Sequence, residues 1–184
     1  MKNGFVFVEF LIALPLLILL LFSLGSMTLQ IFQMTKIQIA NYILETETQK
    51  IIKNISEDAK TAQSVKIKKA IGDANIYEIF FNYRTSITES GIVTILKTPR
   101  RYTVGKTETH GNYIYRERLE TGPKVNPISG GNFFGDTIVT ELKFSEPSEN
   151  VLHISLEMQS LISKKKFKAN TAVFMSACEE KIGL

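Results

Sequence analysis

The rhythm of hydrophobic and polar positions changes twice along this chain. From Phe5 to Leu24 twenty residues are apolar almost without interruption, and "GFVFVEFLIALPLLILLLF" carries only Glu9 and Pro15 against the trend. At about 1.5 Å per residue, a helix of that length spans roughly 30 Å, the thickness of a bilayer's hydrocarbon core. The pattern predicts a membrane-spanning helix, kinked at Pro15, where a backbone donor is missing. Gly25 closes the apolar run, but no later glycine or proline interrupts the sequence before Val65, so the helix is expected to continue. Leu44, Ile51, Ile55, Ala59 and Ala62 then recur at steps of seven, four, four and three. Glu47, Lys50, Lys53, Asn54 and Glu57 occupy other faces, as in an amphipathic helix lying on a sheet. Between Met27 and Ala40 the apolar residues Ile31, Phe32, Met34, Ile37 and Ile39 spread around the helix. That surface suits burial among packed helices better than exposure on a monomer.

Beyond about Val65 the period falls to two. In "NIYEIFFNYR" Tyr77, Ile79, Phe81 and Tyr83 share one face. In "NVLHISLEM" Leu152, Ile154, Leu156 and Met158 share one, with His153, Ser155 and Glu157 opposite. "SGIVTILKT", "GNYIYRERLE", "DTIVTELKF" and "ANTAVFM" read as further strands, separated by short polar connections that favour antiparallel hairpins. Thr121 to Gly131, "TGPKVNPISGG", reads as an exposed loop. The expected fold class is α+β: a long N-terminal helix, half membrane and half amphipathic, packed on one antiparallel sheet.

With 184 residues, the chain has room for one ordinary domain besides the membrane segment. The layout is a leader at 1–4, a membrane helix at 5–25, its amphipathic extension at 26–64 and a β domain at 65–184. The formal charge of +4 and isoelectric point near 9.1 are only mildly basic. Lys164, Lys165, Lys166 and Lys168 form the densest run, and Lys66, Lys68, Lys69, Arg100 and Arg101 could join it. Such clusters are ordinarily solvated turns; several on one face would allow a weak DNA contact, which spacing alone does not prove. Cys178, the one cysteine, excludes an internal disulfide. His110 and His153 are isolated from cysteines and acids at metal-ligand spacing. "GKT" at Gly105 to Thr107 resembles the tail of a phosphate loop, but Arg100 stands where its first glycine is required. With no "GxSxG" elbow either, the expectation is a protein that is not an enzyme and has no cofactor or metal.

Glu9 carries the functional argument. A carboxylate inside a membrane helix costs about 2.5–3.5 kcal/mol on insertion scales, so one tolerated there needs a partner. The leader before it is only "MKNG". A cut after Gly4 would place a new α-amino group at Phe5, a little over one turn from Glu9, within reach of the carboxylate of its own or a neighbouring copy. Such a pair offsets desolvation and fixes the axial register between packed helices.

A short basic leader ending in Gly4, then Phe5, then an apolar run with Glu9 five residues after the glycine, resembles the class III signal of type IV prepilins and pseudopilins. The stretch "IIKNISEDAKTAQSV" is also similar to the helix end of J-type minor pseudopilins. The resemblance implies that a prepilin peptidase cuts between Gly4 and Phe5 and N-methylates Phe5, and that Glu9 contacts the N-terminus of an adjacent subunit. Because "FVFVEF" replaces the commoner "FTLIEL" and Pro15 falls early, it implies a minor subunit, at the tip or initiation complex of a type IV pilus-like, secretion or DNA-uptake filament. The partners so implied are the peptidase, other pilin or pseudopilin subunits and the membrane. Lys2 agrees with a cytoplasmic leader and an exported domain. Two alternatives stay open on the residues alone. One is a single-pass anchored β domain that binds or scaffolds without assembling; the other is an exported protein cut after "SLG" at Ser23 to Gly25.

Overall fold

The computed structural model describes residues 3–70, 75–83, 85–87, 93–95, 98–107, 111–118, 126–129, 137–148 and 150–176. Its contacts divide the chain into two units, Met1–Ile39 and Ala40–Leu184. Helix α1, Asn3–Lys60, supplies all that is described of the first unit and enters the second. The helical assignment runs through Pro15 without a break.

The helix stops at Lys60, four residues short of the expected end at 64. Polar groups take over the last carbonyls: the Thr61 hydroxyl donates to the Glu57 and Asp58 oxygens at 3.4 and 3.3 Å, and the Ala62 amide to Ala59 at 3.1 Å. The Ser176 hydroxyl donates to the Lys60 carbonyl at 3.1 Å. These contacts satisfy carbonyls that a helix end leaves open and release the chain into a strand.

Among the described residues ten strands follow: β1 (Ser64–Lys69), β2 (Tyr77–Asn82), β3 (Thr85–Ile87), β4 (Val93–Ile95), β5 (Arg100–Thr107), β6 (Gly111–Arg118), β7 (Asn126–Pro127), β8 (Thr137–Ser148), β9 (Val151–Ser160) and β10 (Lys166–Phe174). Every named pairing is antiparallel, as the short connections predict. They do not form one sheet, however. A five-stranded sheet runs β1-β2-β5-β6-β7, a three-stranded sheet β10-β9-β8, and β3 with β4 makes a separate ribbon. Strands β8 to β10 satisfy one another as two successive hairpins. One parallel bridge, Ile76 to Leu142, joins the two larger sheets, with the Leu142 amide donating to Asn75 at 3.1 Å.

Strands β1 and β5 are absent from the sequence reading because their chemistry conceals them. "SVKIKK" offers apolar side chains only at Val65 and Ile67, and "RRYTVGKT" sends an arginine to the inner face. The stretch read as an exposed loop is partly a strand: β7 pairs with β6, and Ser129 is buried, accepting the Ile114 amide at 2.9 Å. Residues 121–125, 130 and 131 of that stretch lie outside the described residues.

In the second unit the predicted helical stripe is the core. Leu44, Ile51, Ile55, Ala59 and Ala62 are fully buried in one cluster with Ile79, Phe81, Tyr102 and Ile114 of the first sheet and Leu142, Leu152, Ile154, Leu156 and Met158 of the second. Burying a large aliphatic or aromatic side chain stabilises by about 1.5–3 kcal/mol, so this stripe fixes where α1 lies within the unit. Thr48 completes it between Leu44 and Ile51. Although buried, its hydroxyl is satisfied by the Leu44 carbonyl at 2.7 Å.

Candidate functional site

Gly4, Phe5 and Glu9 all lie on α1. Of Gly4 and Phe5 only the helical backbone is described; Glu9 is exposed and makes no hydrogen bond or ion pair among the described residues. Four residues of helix separate Phe5 from Glu9, roughly 6 Å along the axis, which is one turn.

Around this carboxylate nothing among the described residues packs on the helix. Every described side chain from Glu9 to Ile39 is exposed. Phe22 is 78% exposed, Leu29 67%, Phe32 77% and Met34 63%. At Gly25 a Cβ would meet nothing within 4 Å, and a shallow groove of about 580 Å³ lies there between Leu21, Phe22, Ser26 and Leu29. The hydroxyls of Ser26, Thr28 and Thr35 each return to a carbonyl of their own helix at 2.8 Å. These hydroxyls therefore need nothing from a neighbour, and the surface is ready for lipid or for another apolar helix.

A second constellation lies at the other end of α1. Asp58 stands three residues after Ile55, on the edge of the apolar stripe, and is 2% exposed. Its carboxylate receives Arg100 Nη1, Arg116 Nη2 at 2.8 Å and the Tyr102 hydroxyl at 2.7 Å. Arg116 also lies over the Tyr102 ring, 5.9 Å from its centroid, while Phe81 meets that ring edge-on at the same centroid distance. Burial first, then the hydrogen bond to Asp58, pushes the Tyr102 phenol far above its ordinary value. Burial and the charge of Asp58 push Tyr83 the same way. A buried carboxylate held by two guanidinium groups fastens the helix end to β5 and β6. The sequence reading passed over Asp58; its signal was an acid at helical spacing within an apolar stripe.

The cations grouped in sequence are dispersed by the fold. Arg100 turns inward to Asp58, and Arg101 on the opposite face of β5 pairs with Glu78 at 2.8 Å and Glu117 at 3.5 Å. Lys165 pairs with Glu45, Lys166 with Glu157 and Lys168 with Glu141, each near 3 Å. Hydrogen bonds from Lys168 and Lys166 hold the Glu141 and Glu157 carboxyls below their ordinary range. Lys66, Lys68 and Lys69 on β1 have no acidic partner within 4 Å among the described residues.

"GKT" lies at the end of β5. The Tyr115 ring of β6 lies over Gly105, 2.5 Å from where a Cβ would stand, so a larger residue there needs that ring to shift. His153 is exposed on the polar face of β9, and His110 and Cys178 fall outside the described residues. Among the described residues, one helix is long and apolar enough to cross a membrane. Together with the antiparallel sheets, it is an architecture compatible with a pilin-like or a membrane-anchored protein. Compared with family models, with curated proteins and with solved structures, the chain matches none.

Proposed function

We propose that the chain is a minor pilin or pseudopilin subunit, cut between Gly4 and Phe5 by a prepilin peptidase, N-methylated at Phe5, and assembled through its N-terminal helix into a pilus-like filament or its tip complex. The observation that carries this reading is the length of the unpartnered apolar helix. The described exposed stretch from Glu9 to Ile39 covers 31 residues. That is roughly 46 Å of helix against a hydrocarbon core of about 30 Å. Lipid can cover Phe5 to Leu24 but not Met27 to Ile39 as well. The exposed Leu29, Ile31, Phe32, Met34 and Ile37 of that second segment favour cover by neighbouring helices over a single-pass anchor.

Glu9 supports the same reading. It is the one charge in the apolar run, it has no partner among the described residues, and it lies one turn from the amine that cleavage would create at Phe5. While the subunit waits in the bilayer the helix stores it there. On assembly the carboxylate takes the N-terminal ammonium of an adjacent subunit, which sets the axial offset between helices.

Glu9→Ala is expected to leave the protein cleaved and in the membrane fraction while lowering its recovery with sheared filaments or tip complexes by about tenfold or more, because an unpaired terminal ammonium would remain buried. Cross-linking of membrane and filament fractions measures this. Full incorporation of the variant would remove the role given to Glu9.

A further inference from the structure

We infer that β1 is a docking edge for an extended acidic segment of a partner protein, which adds to the five-stranded sheet as a sixth strand. The inference concerns the second unit and does not depend on the assembly reading.

β1 is the outermost strand of its sheet, with no strand beyond it among the described residues. Its pairing with β2 decides which backbone groups are open. The Ala70 amide donates to the Ile76 carbonyl at 2.9 Å, and the register continues as Lys68 opposite Glu78, Lys66 opposite Phe80 and Ser64 opposite Asn82. In an antiparallel ladder bonded and non-bonded pairs alternate, so the amides and carbonyls of Val65, Ile67 and Lys69 point away from the sheet. Those groups offer the hydrogen bonds that an added strand uses.

The side chains state what that strand must be. Val65 and Ile67 are half-buried and pack against the core, so the inner face of the incoming strand meets apolar neighbours. On the outer face Lys66 and Lys68 are exposed. Lys68 Nζ lies 5.5 Å from the centroid of the Phe80 ring, and a small cleft of about 180 Å³ opens between Lys66, Lys68, Phe80 and Asn82. Directly opposite residues of adjacent strands stand roughly 5 Å apart at Cβ, so acidic side chains alternating with apolar ones would meet Lys66 and Lys68 on one face and extend the core on the other.

The same charges exclude other occupants. Two copies of β1 edge to edge would set lysines against lysines, which is how edge strands resist self-pairing. A nucleic acid needs a broad cationic field, yet beyond Phe80 the next cation, Arg101, is already neutralised by Glu78 and Glu117, and those two carboxylates face the same side. Among the described residues the free positive charge on this face is therefore one strand wide, which fits a strand and not a polyanion.

The test uses the full chain in detergent micelles and a fluorescent capped octapeptide that alternates glutamate with valine or isoleucine. Binding is read by anisotropy and by amide exchange at 64–69. The peptide is expected to bind saturably and to slow exchange across β1. A peptide with lysine for glutamate, or a Lys66→Glu/Lys68→Glu variant, should weaken binding by about tenfold or more. A peptide N-methylated at the amides facing β1 should not bind. This last probe leaves the protein unaltered, so it decides the matter even if the variant misfolds. Equal binding of the acidic and lysine peptides, unchanged exchange at 64–69, or displacement of the peptide by an oligothymidylate would each overturn the proposal.

Discussion

Asp58 shows what one residue can hold together. Its carboxylate gathers Arg100, Arg116 and Tyr102 from two strands that lie 42 to 58 positions away in sequence. Removing it would leave two guanidinium groups partly buried without a counter-charge. Asp58→Ala is therefore expected to destabilise the domain by about 3–5 kcal/mol, seen as a lower denaturant midpoint. A loss below 1 kcal/mol would mean that the arginines find other partners. The acid itself could have been picked out in sequence, since it stands at helical spacing on an apolar stripe. Arg100 and Arg116 could not, because nothing local says that an arginine in a strand turns inward.

The carboxyls of Glu141 and Glu157 give a pH prediction at this same scale. Both are held below the unfolded value of about 4.3 by Lys168 and Lys166, so above that pH the unfolded state binds no extra protons and their contribution is fully present. As pH falls below about 4.3, the unfolded chain takes up protons first and stability declines through the lower folded values. Both carboxyls are half-buried beside lysines that are largely in solvent, so screening keeps the effect small. A Lys166→Ala/Lys168→Ala variant is expected to show a shallower acid decline in denaturant midpoint than the parent. An unchanged slope would show that these pairs contribute nothing.

Among the elements, α1 divides into a part that packs and a part that does not. Ile51 is fully buried and Phe32 is 77% exposed. Ile51→Ala should cost about 2–5 kcal/mol, whereas Phe32→Ala should change stability by less than about 0.5 kcal/mol. Denaturation of the two variants checks this, and a large loss from Phe32→Ala would mean that the exposed surface is already covered within the monomer. The stripe behind this contrast was legible because its period is helical and uninterrupted by glycine or proline. The strands were legible where apolar residues alternate, as in β2 and β9. They were hidden where an edge strand carries lysines, as in β1, or where a polar network replaces apolar packing, as in β5. The division of the strands into separate sheets was not legible, because short polar turns specify antiparallel neighbours but not which hairpins join.

At the scale of the molecule, the chain couples a β domain with its own core to a helix whose apolar surface has no partner among the described residues. That surface, with one carboxylate near its start, is the feature on which the functional account rests. The proposed roles of Gly4, Phe5 and Glu9 rest on the order of a few residues in the sequence and on no tertiary contact. What covers the helix is a property of other molecules, and no single sequence states it. The most direct test is the N-terminal peptide of the membrane-fraction protein, determined by mass spectrometry. The account predicts a chain beginning at N-methylated Phe5. A chain that retains Met1, or one that begins at Ser26, would contradict it.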